Sequence, residues 1–285
     1  MDARLSAPSP DLADKTVFVT GAGSGMGKNF AAAVLEKGGN VFSLEVDPDT
    51  IASATKELAG GERLAWYEGS VAVKADVEAA FAAAADRFGP VHHLINNAGI
   101  ASMSPVVATE EDEWDSMIGV LLKGPFLCTQ AFSRQAIADG QGRSIVNISS
   151  LNAILVTDGL GTYTAAKAGL KALTGVWAGE LGRYGIRVNA IGPGTTATPM
   201  SVDVRKGRFG QEFLDRTLIR PLRFQETSDI ADVAMWLMSP AAQRITGHFI
   251  PVDGGQHVRG IHSYWDVAAE QFDDPSAEYY LERYR

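Results

Sequence analysis

The sequence predicts an α/β protein with a single, doubly wound parallel sheet of about seven strands and helices on both faces. Short apolar segments alternate with longer segments rich in Ala and Leu along most of the 285 residues. Strands buried on both faces have such continuous apolar character, and their alternation with helices is typical of a covered parallel sheet. We expect strands at 16–20, 41–45, 63–67, 93–96, 144–148, 187–191 and 248–252, and helices that include 28–37, 73–88, 114–137 and 163–184.

The bulk composition is consistent with one large globular domain. The chain is 46% hydrophobic, and its formal net charge of -9 argues against a nucleic-acid-binding surface. Its single cysteine, Cys128, excludes an intramolecular disulfide and suits a reducing compartment. The polar start lacks the apolar segment of a signal peptide, and no apolar run reaches the length of a membrane span. We therefore expect a cytoplasmic protein without membrane or nucleic-acid partners.

A glycine-rich segment, residues 20–27 (TGAGSGMG), directly follows the first predicted strand and precedes the first predicted helix. Glycines let the backbone turn tightly and approach a pyrophosphate, while the helix N-terminus supplies free N–H groups and the positive end of a dipole. An ordinary loop between a strand and a helix is the alternative. The position after the first strand favours a Rossmann-type dinucleotide site.

Glu45 ends the second predicted strand, eighteen residues after Gly27. A carboxylate at this place can accept hydrogen bonds from the ribose hydroxyls of adenosine and repel a 2′-phosphate. Neither Ser24 nor Val46 supplies a positive charge for that phosphate, so we expect NAD rather than NADP. The alternatives are a solvated acid at the strand end, or Asp47 in this role if the strand ends later.

Tyr163 and Lys167 are four residues apart in a predicted helix, so their side chains leave the same face. We expect Lys167 to lower the pKa of Tyr163, because a nearby positive charge favours the phenolate. Ser150 lies thirteen residues before Tyr163, at the end of an apolar strand. The three side chains indicate acid–base chemistry on a hydroxyl or carbonyl group. A surface Tyr–Lys pair and a structural serine are the alternatives, and Ser149 competes with Ser150.

From about residue 15 to residue 255 the chain resembles the short-chain dehydrogenases/reductases. Five motifs occur in the family order: the glycine-rich turn, Asn-Asn-Ala-Gly at 96–99, the set of Ser150, Tyr163 and Lys167, Pro193-Gly194 with Thr198, and Val-Asp-Gly-Gly at 252–255. We expect a flexible leader at 1–13, a dinucleotide-binding catalytic domain at 14–255 and a C-terminal extension at 256–285. The resemblance implies hydride transfer between NAD(H) and a secondary alcohol or ketone.

The resemblance also implies a role for each residue that matches a family motif. Tyr163 is expected to exchange a proton with the substrate oxygen, Lys167 to bind the nicotinamide ribose, and Ser150 to hydrogen-bond the substrate oxygen. The cofactor contacts are expected from Gly21, Ser24, Met26, Gly27, Glu45, Ser70, Val71, Asn97, Tyr163, Lys167, Thr196 and Thr198, and no metal site is expected. Asn97 is expected near the ribose, whereas Asn96 more simply satisfies backbone groups at the strand end.

The sequence departs from the family pattern at three positions. Leu121 occupies the place of a usual Asn that holds a water between the catalytic lysine and solvent, so we expect an altered proton route. Gly119 and Pro125 nearby predict an irregular helix. Ser70 replaces a usual Asp near the adenine, where a hydroxyl still donates and accepts hydrogen bonds. His92 replaces an Asp before the fourth strand, and we expect it to be structural.

The substrate loop is expected at residues 200–220. Its basic residues suggest an anionic substrate, with a solvated helix face as the simpler alternative; they are Arg205, Lys206, Arg208 and Arg216. The segment after Ser150 predicts one apolar side of the pocket, formed by Leu151, Ile154, Leu155 and Val156. The resemblance implies a homodimer or homotetramer, with apolar stretches 121–137 and 170–181 suited to contacts between subunits. The aromatic residues of the tail, Trp265, Phe272, Tyr279, Tyr280 and Tyr284, are expected to pack on their own subunit or on a neighbour.

Two hypotheses about function follow. The first is an NAD-dependent alcohol dehydrogenase or ketoreductase that acts on a small molecule. The second is a non-catalytic NAD-binding module with a redox-sensing or regulatory role, which Leu121 supports. Turnover that depends on Tyr163 separates the two hypotheses. Enoyl reduction is less expected, because that branch of the family spaces its Tyr and Lys further apart.

Overall fold

The computed structural model describes residues 12–140, 142–157, 159–202, 205–219 and 221–259, apart from the side chains of residues 207–209 and 212. Within this part of the chain, seven parallel strands form one sheet in the order β3-β2-β1-β4-β5-β6-β7. The strands are β1 (Thr16–Thr20), β2 (Asn40–Glu45), β3 (Leu64–Glu68), β4 (Val91–Asn96), β5 (Arg143–Ile148), β6 (Ile186–Pro193) and β7 (Phe249–Val252).

Helices cover both faces of this sheet. They are α1 (Gly25–Glu36), α2 (Pro48–Leu58), α3 (Lys74–Phe88), α4 (Glu111–Ile118), α5 (Gly124–Asp139), α6 (Gly161–Leu181), α7 (Gly207–Asp215) and α8 (Thr227–Met238). A π-helical turn, Gly119–Lys123, connects α4 to α5. None of the helices in the described ranges is both long enough and apolar enough to span a membrane.

The sheet separates two apolar layers, because successive side chains of a strand point to opposite faces. On β1, Val17 and Val19 pack with α1 and α8 on one face. Phe18 points to the other face, where it joins α3, α5 and α6 and stacks on Phe81 at a centroid distance of 4.1 Å. Leu12 is fully buried in the first layer, so this residue of the flexible leader expected at 1–13 belongs to the core.

The order of the strands reverses between β1 and β4. In open parallel sheets, ligands bind at such a reversal, beyond the carboxyl ends of the strands. The glycine-rich turn follows β1, Asn96 ends β4, and Ser150 lies two residues after β5. The fold therefore brings the predicted cofactor and catalytic residues to the same end of the sheet.

The predicted fold class is confirmed, and each expected strand forms with ends shifted by at most two residues. The helix expected at 114–137 forms as one continuous helical segment, residues 111–139, in which the π-helical turn separates α4 from α5. Pro125 has no N–H to donate to the Leu121 carbonyl, and the Gly124 N–H instead bonds the Gly119 carbonyl, five residues back. The predicted irregularity near Gly119 and Pro125 is thereby confirmed. Residues 1–11 of the leader and the five aromatic residues of the tail lie outside the described residues.

Candidate active site

The glycine-rich turn is folded so tightly that side chains would not fit at two of its positions. Gly21 has a φ of +69°, and a Cβ added there would lie 2.9 Å from the Cα of Ala98. A Cβ at Gly27 would lie only 1.9 Å from the carbonyl oxygen of Gly21. Ser24 precedes α1 in an extended conformation, so the helix N-terminus opens at the turn. Met26 is partly buried against the core. This turn has the backbone shape and the dipole that a pyrophosphate requires.

Asn97 holds the turn in place from the end of β4. Its side-chain Nδ2 donates to the carbonyl oxygens of Thr20 at 3.0 Å and Gly21 at 3.1 Å. The Thr20 hydroxyl in return accepts from the backbone N–H groups of Asn97 at 2.9 Å and Ala98 at 3.0 Å. The amide nitrogen of Asn97 is therefore used within the protein, and its expected proximity to the ribose remains a prediction. Asn96 is buried and donates to the side chains of Asn147 at 2.8 Å and Thr129 at 3.2 Å, so its contacts are structural but are not the expected ones with backbone groups.

The carboxylate of Glu45 lies against the glycine-rich turn. Its Oε2 accepts from the Gly23 N–H at 3.1 Å, and its Oε1 accepts from the Val46 N–H at 2.9 Å. Asp47, the other candidate, instead caps α2 by accepting from the Asp49 N–H at 3.1 Å. Of the two acids, Glu45 is the one positioned at the predicted cofactor turn.

Ser70 and Val71 follow β3 on the side where the adenine is expected. The Ser70 N–H donates to Asp76 at 2.8 Å, and its hydroxyl accepts from the Ala72 N–H at 3.2 Å. Val71 is buried, and a Cβ added at Gly124 would lie 2.9 Å from its Cγ2. These contacts fix the segment beside Glu45, whose carbonyl accepts from the N–H of the preceding Gly69.

Lys167 and Tyr163 lie one turn apart on α6, at the carboxyl end of β5. The Lys167 ammonium donates to the carbonyl oxygen of Ile148 at 2.8 Å and lies 5.7 Å from the centre of the Tyr163 ring. Only 5% of Lys167 is exposed. Burial lowers the pKa of Lys167 to about 8, since an ammonium loses its hydration.

The Tyr163 phenol shows the opposite of the expected pKa shift. Burial raises its pKa above the usual value, and the hydrogen bond with Ser150 opposes this rise only in part. The expected lowering by Lys167 is therefore wrong for the protein alone. Desolvation of the phenolate outweighs the neighbouring charge, because the ring is packed against Leu121, Met117 and Ala166.

Ser150 and Ser149 have different surroundings. The Ser150 hydroxyl accepts from the Asn152 N–H at 3.1 Å and donates to its side-chain oxygen at 3.3 Å. Ser149 is buried and donates to the carbonyl oxygen of Lys167 at 2.9 Å. Ser150 is thus the serine beside the Tyr163 phenol, and Ser149 fastens α6 to β5. The contact with Asn152 was not foreseen, although a Ser that opens a helical turn commonly caps it in this way.

Leu121 is fully buried in the π-helical turn and contacts the cluster that holds Tyr163. An apolar side chain therefore occupies the place where the family usually has a hydrogen-bonding Asn. A π-helical turn inside an α-helix frequently marks a functional site. The bend is present here, but the side chain at its centre cannot hold a water.

The segment after β6 lies over the glycine-rich turn. A Cβ added at Gly25 would lie 3.6 Å from the Cβ of Thr198. Thr196 is buried and donates to the Gly194 carbonyl at 2.9 Å, while the Thr198 N–H donates to the Ser201 hydroxyl at 3.2 Å. Thr198 thus lies beside the start of α1, and the contact of both threonines with the nicotinamide carboxamide remains a prediction.

Among the described basic side chains of the loop at 200–220, Arg205 is engaged by neighbouring residues. Arg205 donates to the Ser201 hydroxyl at 3.0 Å and to the Thr198 carbonyl at 3.3 Å, and its guanidinium covers the Phe224 ring. Lys206 and Arg216 are exposed, and the side chain of Arg208 lies outside the described part of the chain.

His92 and His93 lie at the opposite end of the sheet, in accordance with the structural role expected for His92. His92 accepts from the Thr16 N–H at 3.0 Å, and His93 shares a 2.8 Å hydrogen bond with the Ser144 hydroxyl. Burial lowers their pKa values to about 4 and about 3, respectively. Both imidazoles are therefore neutral at physiological pH.

Known proteins are similar to this chain in sequence and in fold. A family model described as enoyl-(acyl carrier protein) reductase matches residues 21–257. The chain is 33% identical over 247 residues to 3-oxoacyl-(acyl-carrier-protein) reductase FabG of Thermotoga maritima, with 86% of this chain and 98% of the relative covered. It is 32% identical over 249 residues to the NAD-dependent glycerol dehydrogenase of Listeria innocua, with 87% and 96% covered.

Among solved structures, a short-chain type dehydrogenase/reductase from Mycobacterium ulcerans superimposes with a TM-score of 0.84 at 28% identity, over 91% of this chain and 96% of that one. The protein therefore belongs to the short-chain dehydrogenase/reductase family of oxidoreductases.

Proposed function

We propose that this protein is an NAD-dependent dehydrogenase that transfers a hydride between NAD(H) and a secondary alcohol or ketone. The observation that supports it best is the convergence of Ser150, Tyr163 and Lys167 at the carboxyl end of β5. Catalysis by a phenol requires a group that stabilises its charged form and a group that holds the substrate oxygen. Lys167 and Ser150 suit these two tasks.

In alcohol oxidation, Tyr163 accepts the proton of the substrate hydroxyl as the bond from carbon to hydrogen breaks. Bound NAD supplies the hydride acceptor. The Ser150 hydroxyl donates to the substrate oxygen and steadies the negative charge that develops there. Lys167 binds the nicotinamide ribose and holds a positive charge beside the Tyr163 ring. That charge, together with the positive nicotinamide, is needed to offset the burial that raises the pKa of Tyr163.

The preference for NAD over NADP rests on Glu45. Its carboxylate already contacts the Gly23 N–H of the cofactor turn, so a 2′-phosphate on the adenosine ribose would meet a negative charge. The NAD dependence of the glycerol dehydrogenase relative agrees with this proposal.

The remaining expectations are part of the same proposal. The catalytic domain comprises residues 14–255, between a leader at 1–13 and an extension at 256–285, and works in the cytoplasm as a homodimer or homotetramer. The names of the relatives include a glycerol dehydrogenase and a 3-oxoacyl reductase, which act on different substrates. The proposal therefore takes no substrate from the relatives. Enoyl reduction is not proposed, because Tyr163 and Lys167 are only four residues apart.

The test is the formation of NADH by the purified protein with NAD and a panel of secondary alcohols. We expect turnover in the wild type and its loss in Tyr163→Phe. Binding of NAD without turnover of any alcohol or reduction of any ketone would favour the regulatory alternative, for which the buried Leu121 is the structural argument.

A further inference from the structure

We infer that the substrate carries an extended apolar body, an alkyl chain or an aryl ring, on its carbinol carbon. This inference rests on the proposed function and goes beyond it, since it names the substrate class. It excludes a polyol and a small hydroxycarboxylate as the preferred substrate.

The loops that follow β4, β5 and β6 each begin with a segment that has no charged side chain. Residues 99–109, 151–157 and 194–202 contain no Asp, Glu, Lys, Arg or His, although Asp, Glu, Lys and Arg form 21% of the chain. Three independent loops share this composition, and all three lie beyond the carboxyl ends of the central strands. A phosphate or carboxylate on the substrate would find no charged partner within these segments.

Two of these loops are joined directly beside the catalytic tyrosine. The Ser104 N–H donates to the Gly159 carbonyl at 2.8 Å, and Ser104 pairs with Leu160 in a parallel bridge. The Met103 side chain lies against Gly159, where a Cβ would be 3.1 Å from its Cγ. Because Gly159 and Leu160 lead directly into α6, which carries Tyr163 in its first turn, we assign the loop after β4 to one wall of the substrate site.

Large apolar side chains on these loops face outward. They are between 40% and 92% exposed: Met103, Val106, Val107, Ile154, Val156 and Met200. Exposed apolar side chains on the loops beside a catalytic centre are candidates for binding the apolar part of a substrate. The occupant that fits here is the apolar part of the molecule whose oxygen meets Ser150 and Tyr163.

Several polar groups of the same loops are hydrogen-bonded within the protein. The Ser102 hydroxyl donates to Glu113, and the Asn152 side chain bonds both Ser150 and Thr157. The guanidinium of Arg205, a cation next to the loop after β6, is hydrogen-bonded to Ser201 and to the Thr198 carbonyl. A polyol would have to displace these hydrogen bonds, whereas an alkyl or aryl group leaves them intact.

The experiment measures kcat/KM with NAD for the series 2-butanol, 2-pentanol, 2-hexanol and 2-heptanol, and for D-threitol and 3-hydroxybutanoate. We expect about a fourfold rise per added CH2 as each methylene leaves water, with D-threitol and 3-hydroxybutanoate below 2-butanol. The inference is overturned if kcat/KM does not rise with chain length. It is also overturned if D-threitol or 3-hydroxybutanoate has a higher kcat/KM than 2-heptanol.

Two variants show where the methylenes bind. Met103→Gln and Val156→Asn are expected to flatten the dependence on chain length. Val258→Asn is the matched control, since Val258 is an exposed valine after β7 and outside these loops, and it is expected to keep the slope. A slope unchanged in both loop variants overturns the assignment of the wall.

A binding measurement separates failure of this inference from failure of the proposed function. In Tyr163→Phe with NADH, we expect 2-heptanone to raise the melting temperature more than erythrulose does. That result with no turnover in the wild type would refute the dehydrogenase and support the apolar site. Turnover of D-threitol together with a larger shift by erythrulose would support the dehydrogenase and refute the apolar site.

Discussion

The ammonium of Lys167 lies 5.7 Å from the centre of the Tyr163 ring, and both groups are shifted by burial toward their neutral forms. The pKa of Lys167 falls to about 8, while the pKa of Tyr163 rises. Buried Leu121 contributes to this dry environment through its contact with the Tyr163 cluster. In the protein alone, burial therefore favours the neutral phenol of Tyr163. We expect added positive charge, such as that of a bound nicotinamide, to lower the pKa of Tyr163 and favour the phenolate.

The first prediction concerns the stability of Lys167→Met. Folded Lys167 releases its proton near pH 8, whereas the unfolded chain keeps it up to 10.5. Stability rises with pH wherever the unfolded state binds more protons, so this lysine adds about 1.4 kcal/mol to the free energy of unfolding per pH unit in that window. Urea unfolding of both proteins should show the wild type gaining up to about 3 kcal/mol over the variant as the pH rises through the window. If the difference in the free energy of unfolding between the two proteins stays constant over this pH range, the lowered pKa of Lys167 is wrong.

The second prediction concerns Leu121→Asn. An amide at this position can hold a water near Lys167, so we expect kcat for alcohol oxidation to rise severalfold. The free energy of unfolding should fall by about 1–3 kcal/mol, because a polar group replaces a fully buried leucine. Leu121→Ala is the control: it leaves a cavity, costs about 2–5 kcal/mol and should not raise kcat. An Asn variant slower than the wild type would show that Leu121 does not limit the proton route.

The third prediction separates the two acids near the end of β2. Glu45→Ala removes the carboxylate at the cofactor turn, and we expect NAD affinity to fall about tenfold or more while NADP discrimination declines. Asp47→Ala removes the cap of α2, so it should cost about 1 kcal/mol of stability and leave the cofactor preference unchanged. Calorimetric titration with both cofactors measures the difference. If Asp47→Ala weakens NAD binding and Glu45→Ala does not, Asp47 rather than Glu45 binds the adenosine ribose.

The fourth prediction compares two glycines. Gly27→Ala forces a Cβ to 1.9 Å from the Gly21 carbonyl, so the turn must open and NAD binding should be lost. Gly175→Ala places its Cβ in open space on α6, and the better helix propensity of alanine should add up to about 1 kcal/mol of stability. Fluorescence titration with NADH is the measurement. Normal NADH affinity in Gly27→Ala would mean that the turn does not bind the pyrophosphate.

Local sequence patterns predicted the sheet and the order of the motifs, because buried parallel strands and glycine-rich turns are encoded within short segments. They did not predict the contact of Ser104 with Gly159 and Leu160, which joins two loops distant in sequence. The direction of the Tyr163 pKa shift was also missed. The four-residue spacing correctly predicted a positive charge near Tyr163. The desolvation of the Tyr163 phenol depends on Met117 and Leu121, which belong to other elements and which the spacing does not reveal. Effects of burial require the tertiary structure.

The central claim is that Tyr163 is the acid–base catalyst, and the direct test is single-turnover formation of NADH in wild type and Tyr163→Phe with 2-heptanol. We expect the rate to fall at least about hundredfold, in the range typical of a lost general base. The NAD affinity and the melting temperature should stay near those of the wild type, because only the hydroxyl is removed. A Tyr163→Phe variant that forms NADH at the wild-type rate would contradict the account.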